Sequence, residues 1–291
     1  MTPPQQLAFV KSHGLGNDFI LTQAQSGRTV ESCSLLAQRL CDRHRGIGAD
    51  GLIVYHPSEQ GDARMQIFNA DGSIPEMCGN GLRTFAHYLY RHHGLPKRLT
   101  LETGAGLLQC QIIAERGRVA DVQVEMGVPI LNASEIPALG FTASPVLSTA
   151  LSVTRQGQTR TFNVSLVSMG NPHCIIPVED FPEDWLFWGE ALMQHPCFPR
   201  QANIEFVVFH HSGLAEVKVW ERGVGATEAC GTGACAVAVV GQLLGELDPE
   251  CVVRLPGGDL NIRWAGLNMP VYMTGFSEEV YSGIYVPEGV L

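Results

Sequence analysis

Residues 233 to 244, GACAVAVVGQLL, are apolar nearly all round at helical spacing, and a helix of that kind must be enclosed on most of its sides. A cysteine and a glycine stand before it, in EACGTGACAVAVV from Glu228. The same frame occurs earlier, in EMCGNGLRTFAHYL from Glu76, again at the start of a helix. Two enclosed helices, each opened by Cys-Gly-x-Gly, restrict the chain to an architecture with two centres.

Strand-like runs rich in β-branched and aromatic residues fill the remainder. In the first half they are LAFV, FILTQ, GLIVYH, RMQIFN, LTLET, LLQCQIIAE and VADVQVEM, separated by turn signals such as Asp71-Gly72 and Arg116-Gly117. The second half repeats the plan with TFNVSLVSM, CIIPV, NIEFVVFH and AEVKVW. Helices are predicted over SCSLLAQRLCDRH and over GLRTFAHYLYRHH, the latter stopped by Gly94 and Pro96. The pattern reads as an α+β chain with a long-period internal duplication, weak outside the two cysteine frames. A linker is expected near residues 125 to 137, and the last strand, EEVYSGIYV, could close either sheet system.

A length of 291 residues suits two ordinary domains better than one. Net charge is −10 and the few Lys and Arg residues form no cluster, which argues against a nucleic-acid partner. No run approaches the length of a membrane span and the N-terminus lacks the regions of a signal peptide, so no membrane association is expected and a cytoplasmic location is the default. Nine cysteines, an odd number with no CxxC pair, read as reduced thiols. Metal binding is not expected, because His92-His93 and His210-His211 are adjacent rather than one helical turn apart. No phosphate-loop motif is present.

Cys78 and Cys230 differ from the other seven cysteines in context. A helix start offers unpaired backbone N–H groups and the positive end of a dipole, so an anion is favoured there and a thiolate is stabilised. Two such helix starts facing one another would hold an anionic group between two thiols. That suits inversion of a carbon acid, since two bases on opposite faces can take a proton from one and return it to the other. The plain alternative, two buried cysteines in glycine-rich loops, fits either frame alone and fits the matched pair poorly. Around them, Asn69 and Asn80 read equally as turn residues or as amides directed at a substrate. Glu221 and Arg222 end an apolar strand and could bind an ammonium and a carboxylate group. Asn171 and His173 flank a proline, and a lone histidine is more often structural.

Together HGLGNDF at 13 to 19, RGIGADG at 45 to 51, FNADGS, MCGNGLR, MGNPHC at 169 to 174, ERGVGATEACGTGACA at 221 to 236 and VYMTG at 271 to 275 resemble the diaminopimelate epimerases. The motifs stand in the family's order from Lys11 to about Tyr285. The resemblance implies a cofactor-independent isomerase acting on a small-molecule substrate, interconverting LL- and meso-2,6-diaminopimelate in lysine and peptidoglycan precursor synthesis, and it favours a homodimer. It implies two pseudo-symmetric domains, residues 1 to 125 with 276 to 291 returning to them, and 126 to 275. Each would be a β-barrel-like, mainly antiparallel sheet around a central helix, with the active site in the cleft between them.

Under that resemblance Cys78 and Cys230 are the acid/base pair. Substrate contacts fall on Asn17, Asn69, Asn171, Asn203, Glu221 and Arg222. Backbone amides at Gly79, Asn80, Gly231 and Thr232 hold the reacting carboxylate, and His173 is a supporting residue. Gly51 stands where many members carry Gln. The rivals are another two-cysteine racemase, of the histidine or hydroxyproline type, and a non-enzymatic thiol redox sensor. The proline group shows Cys-Gly-His-Gly and an Asp-Arg-Ser lead, unlike CGNG and ERG here. A sensor would leave the ordered Asn, Glu and Arg motifs without a use.

Overall fold

The computed structural model describes residues 6–25, 29–75 and 78–286. Glu76 and Met77, which open the first cysteine motif, lie outside the described residues. The chain divides into two compact units, residues 1–124 with 275–291, and residues 125–274.

In the first unit β1 (Leu7–Gly14), β2 (Asn17–Gln23), β3 (Gly51–His56), β4 (Ala63–Asn69), β5 (Arg98–Thr103), β6 (Gly106–Arg116) and β7 (Val119–Glu125) follow one another in one sheet. β2 pairs with β3 and β4 with β5 in parallel, and the other neighbours are antiparallel. The long final strand β16 (Val271–Tyr285) lies beside β7, and from Glu278 onward it pairs with β1, so the sheet closes into a ring. Closure leaves few unpaired edges, and the interior is filled by α2 (Gly79–His93), which packs on β1, β2, β4 and β6. Leu82, Phe85, Ala86 and Leu89 on α2 are buried.

The helix α1 (Val30–Cys41) covers the outside, with Leu36, Ala37 and Leu40 packed against Ile20, Leu52 and Phe68. Thr29 caps its start through Ser32 N. It ends before DRH, shorter than the sequence pattern predicts, because Asp42 Oδ1 accepts from the backbone of His44 and Arg45, each at 2.8 Å, and turns the chain.

The second unit comprises β8 (Thr149–Arg155), β9 (Gln158–Ser168), β10 (Pro172–Pro177), β11 (Asn203–His211), β12 (Leu214–Glu221), the short β13 (Gly225–Thr227), β14 (Glu250–Leu255) and β15 (Gly258–Trp264). The order is β8-β9-β10-β11-β12-β14-β15-β16, with β13 on the free part of β12. Only residues 271–274 of β16 belong here, paired with β15. Its central helix α4 (Gly231–Leu244) contacts six of these strands, as its all-apolar composition requires.

The stretch read as a linker is bonded into this unit's sheet. Met126 N donates to Val271 O and Ile130 pairs with Ser168, so residues 126–130 link β16 to β9. One helix is absent from the sequence reading, α3 (Trp185–Met193). Trp188 Nε1 donates to Asp184 Oδ2 at 2.7 Å across the first turn, and Trp188, Leu192 and Met193 are buried. Among the described residues no helix is long and apolar enough to cross a membrane.

Phe85 sits fully buried on the helix inside the first ring. Phe85→Ala is expected to lower unfolding free energy by about 3–5 kcal/mol, measured as a lower urea midpoint at unchanged slope.

Candidate active site

Each unit presents a cysteine as the N-cap of its central helix, in nearly the same backbone conformation: φ −144°, ψ 103° at Cys78 and φ −122°, ψ 105° at Cys230. The repeat seen in the sequence is thus a repeat of geometry. The last glycine of each frame has a steric reason. A Cβ at Gly81 would lie 3.1 Å from Ile67 Cδ1 and 3.4 Å from Cys78 Sγ. One at Gly233 would lie 2.9 Å from Glu205 Oε1 and 3.2 Å from Cys230 Sγ. A side chain at either position would crowd the sulfur and the residues beside it.

Around Cys78 the partners are polar. Gly81 N donates to Sγ at 3.3 Å, and Sγ lies 3.8 Å from Asn17 Oδ1. Asn17, at the start of β2, also accepts from Asn80 Nδ2 at 3.3 Å. Gly79 and Asn80 are buried in the first turn of α2. Asn69, at the end of β4, gives its Nδ2 to Ser73 Oγ at 2.9 Å, and its backbone carbonyl accepts from Gly72 N. The structure therefore places the Asn69 amide in the Asp71-Gly72 turn. Gly51 is buried at the start of β3, where a Cβ would come within 2.7 Å of Phe68 O, so the backbone here leaves no room for a side chain.

Cys230 is 5% exposed, with Sγ 3.6 Å from Thr232 Oγ1. Burial first, then the Glu221 and Glu205 carboxylates, push its thiol well above the usual thiol range. This corrects the expectation of a stabilised thiolate at this helix start: the Thr232 hydroxyl and the Gly233 N–H act in the other direction, and desolvation with two acidic neighbours outweighs them. Glu221, at the end of β12, is itself raised, chiefly by burial.

His173 is fully buried on β10, with Nδ1 2.6 Å from Glu205 Oε1 and Nε2 2.9 Å from Asn171 Oδ1. Asn171 Nδ2 reaches Thr232 Oγ1 at 3.4 Å. His173, Asn171 and Thr232 thus form a bonded line that ends beside the sulfur. Asn203 is spent within the unit: Nδ2 donates to Pro172 O at 3.1 Å and Oδ1 accepts from Arg222 N at 2.9 Å, so this side chain fixes the backbone that carries Arg222. The Arg222 guanidinium reaches Arg200 O at 3.2 Å. Gly231 is buried in the first turn of α4.

The model of the family described as "Diaminopimelate epimerase" matches residues 9–131 and 165–280. The chain belongs to the diaminopimelate epimerase family. It is 48% identical over 280 residues to the diaminopimelate epimerase of Moorella thermoacetica, covering 94% of this chain and 98% of that one. It is 44% identical over 288 residues to the enzyme of Desulfitobacterium hafniense, covering 98% and 100%. Among solved structures it is similar to a PhzF-family phenazine biosynthesis protein of Bacillus anthracis, with TM-score 0.68 and 16% identity, covering 97% of this chain and 100% of that one. A hydroxyproline epimerase from Agrobacterium vitis gives TM-score 0.68 and 14% identity, covering 98% and 92%. At those identities the likeness is one of fold, two barrel-like sheets each wrapped on a helix.

Three residues near the two cysteines escaped the sequence reading. Glu205 is fully buried behind His173, and its Oε2 has no hydrogen-bond partner among the described residues. Its signal was an acidic residue inside the apolar strand NIEFVV. Arg83 is fully buried on α2, where Nη2 donates to Asn80 Oδ1 at 2.7 Å. Asp50, just before β3, accepts from Asn17 Nδ2 at 2.8 Å. Among the described residues no group of three or more His, Cys, Asp or Glu side chains could hold a metal ion.

Because neighbouring carboxylates raise the Cys230 thiol, Glu221→Gln is expected to lower the pH at which it ionises. Iodoacetamide labelling of the Cys230 peptide at pH 8, followed by mass spectrometry, should speed up about tenfold for each unit by which the thiol falls.

Proposed function

We propose that this chain interconverts LL-2,6-diaminopimelate and meso-2,6-diaminopimelate by two-base proton transfer at one α-carbon, with Cys78 and Cys230 as the bases. The observation that carries this reading is the pair of cysteines capping two buried helices in matched conformations, in a chain of this family. One cysteine enters as thiolate and takes the α-proton. The other, as thiol, gives its proton to the opposite face, so the carbon is inverted and the two cysteines exchange roles. The raised Cys230 thiol supports its entering as the acid when Cys78 is the base.

An amino acid's α-proton is weakly acidic, so the developing carbanion needs fixed dipoles and a dry site. The first-turn amides of both helices, at Gly79, Asn80, Gly231 and Thr232, are suited to hold the α-carboxylate, because a helix start directs its N–H groups and the positive end of its dipole at an anion. Glu221 and Arg222 would sort the ammonium and carboxylate of the substrate's far end, and Asn17, Asn69 and Asn171 would add amide contacts. Asn203 and His173 support Arg222 and Asn171 through the bonds described above. No cofactor is required by this scheme.

The reading extends to a cytoplasmic enzyme of lysine and peptidoglycan precursor synthesis, acting as a homodimer. Val280, Tyr281 and Ile284 on β16 are exposed apolar residues available to a second copy. Sedimentation equilibrium is expected to give twice the 31.6 kDa chain mass, and a monomer at micromolar concentration would remove this part of the reading.

LL-diaminopimelate incubated with reduced protein in D₂O is expected to gain deuterium at one α-carbon without added pyridoxal phosphate or metal. Absence of exchange by folded, reduced protein would overturn the assignment, and exchange on histidine or hydroxyproline instead would favour the other racemases. Cys78→Ala and Cys230→Ala are each expected to lower kcat by about 10³-fold or more, and one variant keeping most of its activity would exclude the two-base scheme.

A further inference from the structure

We propose that Asp50 is a positioning residue for Cys78: it fixes the Asn17 amide so that its carbonyl oxygen, and not its NH2 group, faces the sulfur. This rests on the reading of Cys78 as an acid/base residue. Asn17 and Asn80 form a short line of amides between two charged groups. At one end the Asp50 carboxylate, which can only accept, takes Asn17 Nδ2 at 2.8 Å. At the other end the Arg83 guanidinium, which can only donate, gives Nη2 to Asn80 Oδ1 at 2.7 Å. Asn80 must then turn its NH2 toward Asn17, and Asn17 its oxygen toward Asn80, as the 3.3 Å contact between them has it. The ends dictate both amide orientations, which are otherwise interchangeable in shape.

Asp50 is itself held in place. Arg43 Nη2 donates to Oδ1 at 2.8 Å, Asp18 N donates to Oδ2 at 3.1 Å, and Asp50 N lies 2.9 Å from Asp18 Oδ1. The backbone carbonyl of Asp50 accepts from Ala70 N at 3.0 Å, which ties this corner to the residue after Asn69.

The consequence concerns both protonation states of one sulfur. Gly81 N, a donor at 3.3 Å, favours the thiolate, whereas Asn17 Oδ1, an acceptor at 3.8 Å, favours the thiol. A residue that must be base in one direction and acid in the other needs a partner for each form, and Asp50 supplies the second through Asn17. Cys230 meets the same need with the Thr232 hydroxyl at 3.6 Å, which can rotate to donate or accept. The charged groups set around Cys78 are Asp50, Asp18, Lys11 and Arg43, joined to one another, the His13–Glu278 pair on β1 and β16, and Arg83 on α2.

The test compares the full chain, reduced, with Asp50→Ala and Asp50→Asn, both of which lose the charge while only Asn keeps an acceptor for Asn17 Nδ2. Asp50 is exposed, and thermal unfolding confirms that each variant is folded. The rate of iodoacetamide labelling at the Cys78 peptide is measured against pH, with the Cys230 peptide in the same digest as reference. In Asp50→Ala the Asn17 amide can turn its NH2 to the sulfur, and the midpoint for Cys78 is expected about one pH unit below that of Asp50→Asn, with the Cys230 midpoint unmoved. Coincident midpoints for the two variants would mean that charge alone acts, and an Asp50→Ala midpoint equal to wild type would mean that Asp50 does not act on Cys78; either result overturns the proposal. Since labelling needs no turnover, failure of the epimerase reading would show separately, in the deuterium exchange and the Cys78→Ala rate.

Discussion

The donation from Gly81 N to the Cys78 sulfur is the local interaction from which the arrangement in the first unit follows. A helix enclosed by a closed sheet cannot leave its first N–H groups to water at will, so the residue before it must supply an acceptor. A cysteine supplies a weak one, and in doing so stands at the point where the helix dipole and unpaired amides are concentrated. The second unit repeats the placement at Cys230, with the polar partner now a threonine hydroxyl. In the first unit one sulfur thereby answers a structural requirement of the buried helix, whereas at Cys230 the placement is repeated without a side-chain capping bond.

The two cysteines are not electrostatically equivalent. Cys230 stands among buried acids, Glu221 and Glu205, and its thiol is raised by burial and by both. Cys78 stands among amides whose orientation is set from outside, by Asp50 and Arg83. A duplicated framework has accepted different surroundings on its two copies. The Glu205–His173–Asn171 line and the Asp50–Asn17 pair are the elements that differ between the two copies.

Much of this was legible in the chain because the signals were local. The all-apolar GACAVAVVGQLL had to be enclosed, the two Cys-Gly-x-Gly frames stood at helix starts, and the strands carried their own alternation. The helix α3 was missed because its tryptophans and phenylalanine satisfy a strand pattern as well as a helix, and only packing on β8, β11 and β12 decides between them. Residues 126–130, which read as a linker, are held by Val271 and Ser168, partners remote in sequence that no local pattern announces.

The sequence by itself marked two cysteines at two helix starts, each in a Cys-Gly-x-Gly frame, and an ordered set of Asn, Glu and Arg motifs that identify the family. Those properties reside in single residues and short spacings, so they survive without coordinates. Tertiary structure alone decided what each group faces. Glu205 and Arg83 look like ordinary charged residues until burial removes water from them, Asn203 turns out to hold backbone and Asn69 the Ser73 hydroxyl, and Asp50 meets Asn17 only because β2 and β3 lie side by side. Protonation preference and amide orientation depend on desolvation and on partners tens of residues away, and these exist only once the sheet has closed around its helix.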